Sequence, residues 1–149
     1  MQNKSILTGN NAGSLFVLSP DLSSVKKIDS PIFRGIRHID YGIDSNQINI
    51  VSDDFGIYTF DLEKEVVCKE KLYEGHLDTI TSIDCLSQKP AILTSSLDGT
   101  VRMWDTRNGE NRVLYENKEV DVWAVKYFEA KDSVVAGDEN GNLNIIDYK

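Results

Sequence analysis

The stretch from Gly75 to Asp105, GHLDTITSIDCLSQKPAILTSSLDGTVRMWD, holds the residue types that could do chemistry: His76, Thr94, Asp98 and Trp104. An imidazole beside a carboxylate and a hydroxyl suggests hydrolysis, in which a base activates the hydroxyl as a nucleophile. The same residues also allow a bland arrangement. Asp98 can fix the imidazole tautomer, and the single indole donor of Trp104 can find an acceptor such as the Thr94 hydroxyl. A buried polar set of this kind is stable only when its members satisfy one another. Elsewhere the sequence offers no carboxylate pair, Cys–His pair, Ser–His–Asp spacing or phosphate loop. Cys68 and Cys85 are isolated thiols without CxxC or metal-like spacing, read as reduced cysteines of an intracellular protein. His38 lies in an alternating segment and is placed on a strand surface.

The elements that must position these groups are short strands. Ile80-x-x-Ile83, the apolar run Ala91–Leu93 and the alternating Thr100–Trp104 read as three strands. Asp98-Gly99 suits a two-residue hairpin turn between the last two, because such turns need positive φ. The pattern recurs. Turn glycines Gly13, Gly56, Gly99 and Gly141 are separated by 43, 43 and 42 residues. The strands Ile36-x-x-Ile39-Asp40, Ile80-x-x-Ile83-Asp84 and Val122-x-x-Val125-Lys126 recur at steps of 44 and 42. A period of that length with β-rich, Gly-punctuated content points to the blades of a propeller.

Bracketed by Gly-His and Trp-Asp, the stretch resembles one repeat of the WD40 family. The resemblance implies an all-β chain of four-stranded antiparallel blades. It also implies a hydrogen-bonded structural tetrad of His76, Thr94, Asp98 and Trp104, with no catalytic, cofactor-binding or metal-ligating residue. The repeats fall at about 1–31, 32–74, 75–117 and 118–149. In the first, Ser5–Thr8, Ser14–Leu18 and Ser24–Ile28 are expected strands, with Ala12 and Leu18 at the positions of Asp98 and Trp104. In the second, strands near Gly35–Tyr41, Gln47–Ser52, Gly56–Phe60 and Glu65–Lys71 are expected, with Ile32 and Phe60 at the positions of His76 and Trp104. The fourth, with strands near Asp121–Phe128, Ser133–Gly137 and Asn142–Ile146, puts Lys118, Ala136, Asn140 and Ile146 at the tetrad positions. A propeller needs about four such blades or more, so about three and a half should form an open or partial ring. Terminal blade faces, including Ile6, Leu15 and Val17 or Val134, Leu143 and Ile145, are expected to lack a packing layer. Another propeller-like chain or a second copy could complete the ring.

Composition narrows the partners. Among 149 residues, 24 acidic against 16 basic side chains give a net charge of −8. That argues against direct nucleic-acid binding, which usually needs a basic stripe, and favours basic or Arg-rich protein segments. No run of 18 apolar residues suggests a spanning helix, and the N-terminus lacks the apolar core of a signal peptide. The expected setting is cytoplasm or nucleus. Asp53, Asp54, Asp138, Glu139 and Arg107 are candidate partner-binding residues, with Phe55, Tyr58, Tyr73 and Trp123 as possible aromatic anchors. Trp104-Asp105-Thr106-Arg107 is similar to the box by which some WD40 proteins dock onto cullin-4 ubiquitin ligases. SDDFGIYTFDL, YEGHLDTITSIDCLS and AGDENGNLNIIDYK look like parts of the methylosome type of WD-repeat subunit, which implies a non-catalytic adaptor presenting basic substrates to a protein arginine methyltransferase. A propeller hydrolase with an axial carboxylate site is the enzymatic alternative.

Overall fold

The computed structural model describes residues 5–42, 46–68 and 74–147. Fourteen strands occur among them: β1 Ile6–Gly9, β2 Leu15–Leu18, β3 Val25–Ile28, β4 Ile36–Tyr41, β5 Gln47–Ser52, β6 Ile57–Asp61, β7 Val66–Val67, β8 Ile80–Cys85, β9 Ala91–Ser96, β10 Thr100–Asp105, β11 Asn111–Glu116, β12 Val122–Phe128, β13 Ser133–Asp138 and β14 Leu143–Ile146. A 3-10 turn at Glu129–Lys131 is the only helical element described, and the sequence pattern did not signal it. The strands form four antiparallel meanders, β1–β3, β4–β7, β8–β11 and β12–β14. Consecutive strands pair because short turns join them, the arrangement that local hairpins favour. The fourth strand of the second sheet is shorter than expected, two residues, and Lys69–Lys71 lie outside the described residues, as does Tyr73.

Three apolar layers lie between the four sheets. Leu15 and Ile28 pack on Ile48, Ile50 and Phe60; Val51 and Ile57 pack on Ile80, Ile83, Ile92 and Trp104; Leu86, Leu93 and Val101 pack on Val122, Val125, Val134, Ala136 and Ile146. This corrects part of the expectation for the terminal faces. Leu15 and Val134 are fully buried and Val17 packs on the first layer, because alternation along a strand turns them inward, while Ile6, Leu143 and Ile145 are exposed.

The hairpin turns are also corrected. Only Gly99 of the Asp98-Gly99 pair has positive φ, at 78°, and its N–H donates to the Ser96 carbonyl at 3.2 Å. Three residues therefore link β9 to β10, with glycine closing a turn in the left-handed region. A Cβ on Gly99 would stand 2.1 Å from the Asn117 carbonyl oxygen, so the chain approaches too closely there for any side chain. In the second sheet the equivalent left-handed residue is Phe55, at φ 66°, and not the landmark glycine Gly56. The hydrogen bonds make the equivalence plain: Phe55 N–H donates to Ser52 O as Gly99 N–H donates to Ser96 O.

Each inner strand carries one bulge at the same place, between Ile36 and His38, Ile80 and Ser82, and Val122 and Ala124. Arg37, Thr81 and Trp123 are the extra residues. Inner strands are also tied from sheet to sheet by carboxylates. Asp40 accepts the Cys85 N–H at 2.7 Å, and Asp84, one repeat later, accepts the Tyr127 N–H at 2.6 Å and the Lys126 ammonium. Lys126 occupies the position that Asp40 and Asp84 hold in the preceding repeats, so it answers the neighbouring carboxylate instead of repeating it. Asp84 is 3% exposed, and stranding the Tyr127 N–H costs more than the bond itself contributes. Asp84→Ala is expected to lower stability by about 2–3 kcal/mol, read as a drop in the denaturation midpoint at unchanged slope. An unshifted midpoint would contradict this role.

Candidate functional site

His76 sits on the segment leading into β8, Thr94 in β9, Asp98 in the β9–β10 turn and Trp104 in β10. The fold brings all four together. The Trp104 indole N–H donates to Thr94 Oγ1 at 2.8 Å, and Thr94 Oγ1 lies 2.7 Å from His76 Nε2. His76 Nδ1 lies 2.9 Å from Asp98 Oδ2. One proton arrangement satisfies every group: Trp104 donates to Thr94, Thr94 to Nε2, and Nδ1–H to Asp98. Asp98 further accepts the Leu77 N–H at 2.9 Å, the Thr100 N–H at 2.9 Å and the Thr100 hydroxyl at 2.6 Å. Burial opposes the Asp98 charge, but the donors from His76, Thr100 and Leu77 outweigh it and hold the carboxyl well below its ordinary range. Thr94 is fully buried and the His76 ring fully enclosed. The Thr94 hydroxyl spends its proton on the ring and its lone pair on the indole, so no nucleophile faces a substrate. The set is a clamp joining β8, β9 and β10.

Carboxylates thought to bind partners hold local structure as well. Asp54 stands where Asp98 stands one repeat later: it accepts the Gly56 N–H at 3.1 Å and the Tyr58 hydroxyl. Burial, aided by Asp54, pushes the Tyr58 hydroxyl well above its ordinary range, which fixes that phenol as a donor. Asp138 caps the β13–β14 turn by accepting the Asn140 and Asn142 N–H groups at 3.1 and 2.9 Å. Asp53 pairs with Arg37, through Nη2 to Oδ2 at 2.8 Å and through Nε. Glu139 accepts the Asp121 N–H at 3.2 Å. Arg107 is exposed but committed to Asp105, which draws the Asp105 carboxyl down to about 2 through the guanidinium and the Arg107 N–H. Arg107 also borders a groove of about 490 Å³ lined by Lys89, Met103, Glu110 and Arg112.

At the end of the sheets where the β5–β6, β9–β10 and β13–β14 turns lie, the expected surface residues Asp53, Phe55, Glu139 and Trp123 are joined by Leu77, Asp78 and Asp121, which the sequence did not single out. There the turns are fastened to the segments preceding the inner strands: Asp53 N–H donates to Gly35 O, Leu97 N–H to Thr79 O and Glu139 N–H to Asp121 O. Burial, with the Glu139 and Asp78 carboxylates nearby, pushes the Asp121 carboxyl above its ordinary range. Trp123 follows on the β12 bulge, 55% exposed, and Phe55 and Leu77 are exposed at the same end. Asp121 and Asp78 carried no motif. Trp123, expected as an aromatic anchor, stands on the shared bulge position, which only the register reveals. The thiols show no such clustering. Cys68 is exposed, and burial pushes the Cys85 thiol up to about 12. His38 is exposed on β4, where Nδ1 accepts the Ile83 N–H at 3.2 Å. Among the described residues, no three His, Cys, Asp or Glu side chains are grouped to hold a metal ion, and no helix is long and apolar enough to cross a membrane.

Residues 67–105 match the family model "WD domain, G-beta repeat". The matched unit begins in β7 of the second sheet and ends with β10 of the third, so one sequence repeat spans two blades and ties them covalently. The chain is similar to the U3 small nucleolar RNA-associated protein 21 homolog of Schizosaccharomyces pombe, 33% identical over 60% of this chain and 10% of that protein. It is also similar to human dynein axonemal assembly factor 10, 28% identical over 74% of this chain and 31% of that protein. It thus spans less than a third of the length of these curated relatives. Among solved structures, the WD40 β-propeller domain of Doa1 superposes on all of the chain with a TM-score of 0.83 at 20% identity, the chain covering 48% of it. The computationally designed Ika4 protein superposes on 97% of the chain with a TM-score of 0.75 at 17% identity, the chain covering 86% of it. Residues 67–105 thus carry a WD40 repeat with its tetrad assembled, in a chain whose sheets stack as in a WD40 propeller.

Proposed function

We propose that the chain is a non-catalytic WD40 scaffold whose acidic end receives basic, arginine-rich protein segments within a multiprotein assembly of the nucleus or cytoplasm. WD40 repeats generally mediate protein interactions, and the grouping of Asp78, Asp121 and Glu139 beside the exposed Trp123 carries the finer reading. A carboxyl with other carboxylates nearby, as Asp121 has, gains by receiving a cation. An exposed indole beside them can stack on a guanidinium, which adds about 0.5–1 kcal/mol at such sites. Presenting arginine-rich substrates to a methyltransferase is one use that fits this chemistry. Docking to a ubiquitin ligase through Arg107 would require that side chain to leave Asp105 first.

Calorimetric titration with an arginine-rich peptide tests the reading. Binding should weaken with added salt, since exposed charges are screened within about 10 Å at 0.1 M. The combined Asp78→Asn, Asp121→Asn, Glu139→Gln variant should lose at least about tenfold in affinity, a loss of about 1.4 kcal/mol. A control with the same charge change at the opposite end, Glu63→Gln, Glu110→Gln, Glu129→Gln, should change little. Equal losses in both would mean that net charge alone attracts the peptide, and the proposed site would be wrong.

A further inference from the structure

The left-handed turn position recurs in all four sheets, at Gly13, Phe55, Gly99 and Gly141, in steps of 42, 44 and 42 residues. Glycine takes positive φ readily, whereas a bulky side chain is disfavoured there. Close packing adds a second obstacle. A Cβ on Gly13 would stand 2.4 Å from the Ile32 carbonyl oxygen, and one on Gly99 would strike the Asn117 carbonyl in the same way. Both carbonyls belong to the segment that enters the next sheet. Phe55 nevertheless carries its ring at this position, 38% exposed. The polar bonds that hold its turn run through Asp54, Gly56 and Tyr58, so a glycine at 55 would leave them in place.

Phe55 has apolar company. Leu77 is 82% exposed, and Phe33, one repeat earlier, is 86% exposed. Hydrogen bonds establish their equivalence: Ser52 Oγ donates to the Arg34 carbonyl at 3.4 Å and Ser96 Oγ to the Asp78 carbonyl at 3.1 Å. Arg34 and Asp78 directly follow Phe33 and Leu77, so both apolar residues stand at the end of the sheets that carries the Phe55 turn. All three belong to the second and third sheets, which have an apolar layer on either side. They lie at strand ends and not on the faces by which one sheet packs on the next. Scattered apolar side chains are ordinary on a surface, whereas a group of them at one end marks a contact site. Beside Leu77, Asp78 leads into the acidic group of Asp121 and Glu139.

We propose that Phe55 and Leu77, with Phe33 beyond them, seat a large apolar side chain of the same partner segment whose arginines reach Asp78, Asp121 and Glu139. The partner is then an arginine-bearing segment with an aromatic or long aliphatic residue beside its cations, and not a purely charged tail. This inference rests on the acidic reading above and adds a specificity that charge cannot give. An acidic end draws many basic segments, and the burial of one apolar side chain among others discriminates between them. The same role accounts for a ring at the turn position where the other sheets have glycine. A side chain kept on a disfavoured backbone conformation, without serving the turn, points to recognition.

Two synthetic peptides of equal charge provide the test, one of arginine and glycine only and one with a central glycine replaced by phenylalanine. In calorimetric titration the phenylalanine peptide should bind the unmodified chain about tenfold more tightly, the effect of partly burying one aromatic side chain. Phe55→Gly and Leu77→Ser should each reduce that preference, and together bring it to about twofold or less, with affinity for the arginine–glycine peptide unchanged. Phe55→Gly should melt no lower than the unmodified chain, because glycine relieves the left-handed strain. Equal affinity for the two peptides would overturn this inference and leave the acidic reading standing, whereas failure of both to bind would overturn the two together. A preference that persists in the double variant would also overturn it. So would a Phe55→Gly chain that melts many degrees lower, since the ring would then serve the fold.

Discussion

Trp104→Ala is expected to remove about 3–5 kcal/mol of stability, the range for deleting a large buried aromatic. The indole is 1% exposed and packs in the layer formed by Val51, Ile57, Ile80, Ile83 and Ile92. Its loss opens a cavity between the second and third sheets and takes away the donor that orients Thr94. Domains of this size have about 5–15 kcal/mol in total, so the variant should melt many degrees lower or fail to fold. Trp104→Phe separates the two contributions. It keeps most of the packing and loses only the N–H···O bond, so its cost should be nearer 1–2 kcal/mol. An unchanged melt for Trp104→Ala would contradict the clamp.

Asp98→Asn should cost about 2–4 kcal/mol at neutral pH, because the side chain exchanges charge-assisted bonds for weaker ones and turns an amide donor toward a donor. The pH dependence gives the signature. The folded-state proton affinity of Asp98 is depressed below its ordinary value of 3.8. Its contribution is therefore full above that value and is lost as pH falls toward the lower folded value. The gap between wild type and variant should stay constant from about pH 7 to 5 and narrow below about pH 4. A gap independent of pH into the acid range would mean that the charge on Asp98 does not support the fold.

The parts of this molecule most legible in sequence were those written into local pattern. Period and turn glycines located most strands to within a residue, and the residues of 75–105 identified the clamp before any distance was known. What stayed hidden depends on register. Gly56 looked like the turn residue of the second sheet, yet the four-residue connection there puts Phe55 in the left-handed position, which sequence chemistry disfavours. Asp54 and Asp138 looked like free surface acid because their acceptor roles run to backbone N–H groups of their own turns, which carry no side-chain signature. The link from Asp84 to Tyr127 crosses between sheets 43 positions apart, and only the packed structure reveals it. The alternation that buries Leu15 and exposes Ile6 needed the direction of stacking, which periodicity alone does not supply.

The measurement closest to the central claim is a backbone amide chemical-shift map of the isotopically labelled chain during titration with an arginine-rich peptide. The shifts are expected to concentrate at 53–56, 77–79, 119–123 and 137–141, and the Trp123 indole N–H should move with them. Shifts gathered instead around Lys89, Arg107 and Arg112 at the opposite end, or no saturable shifts at all, would contradict the account.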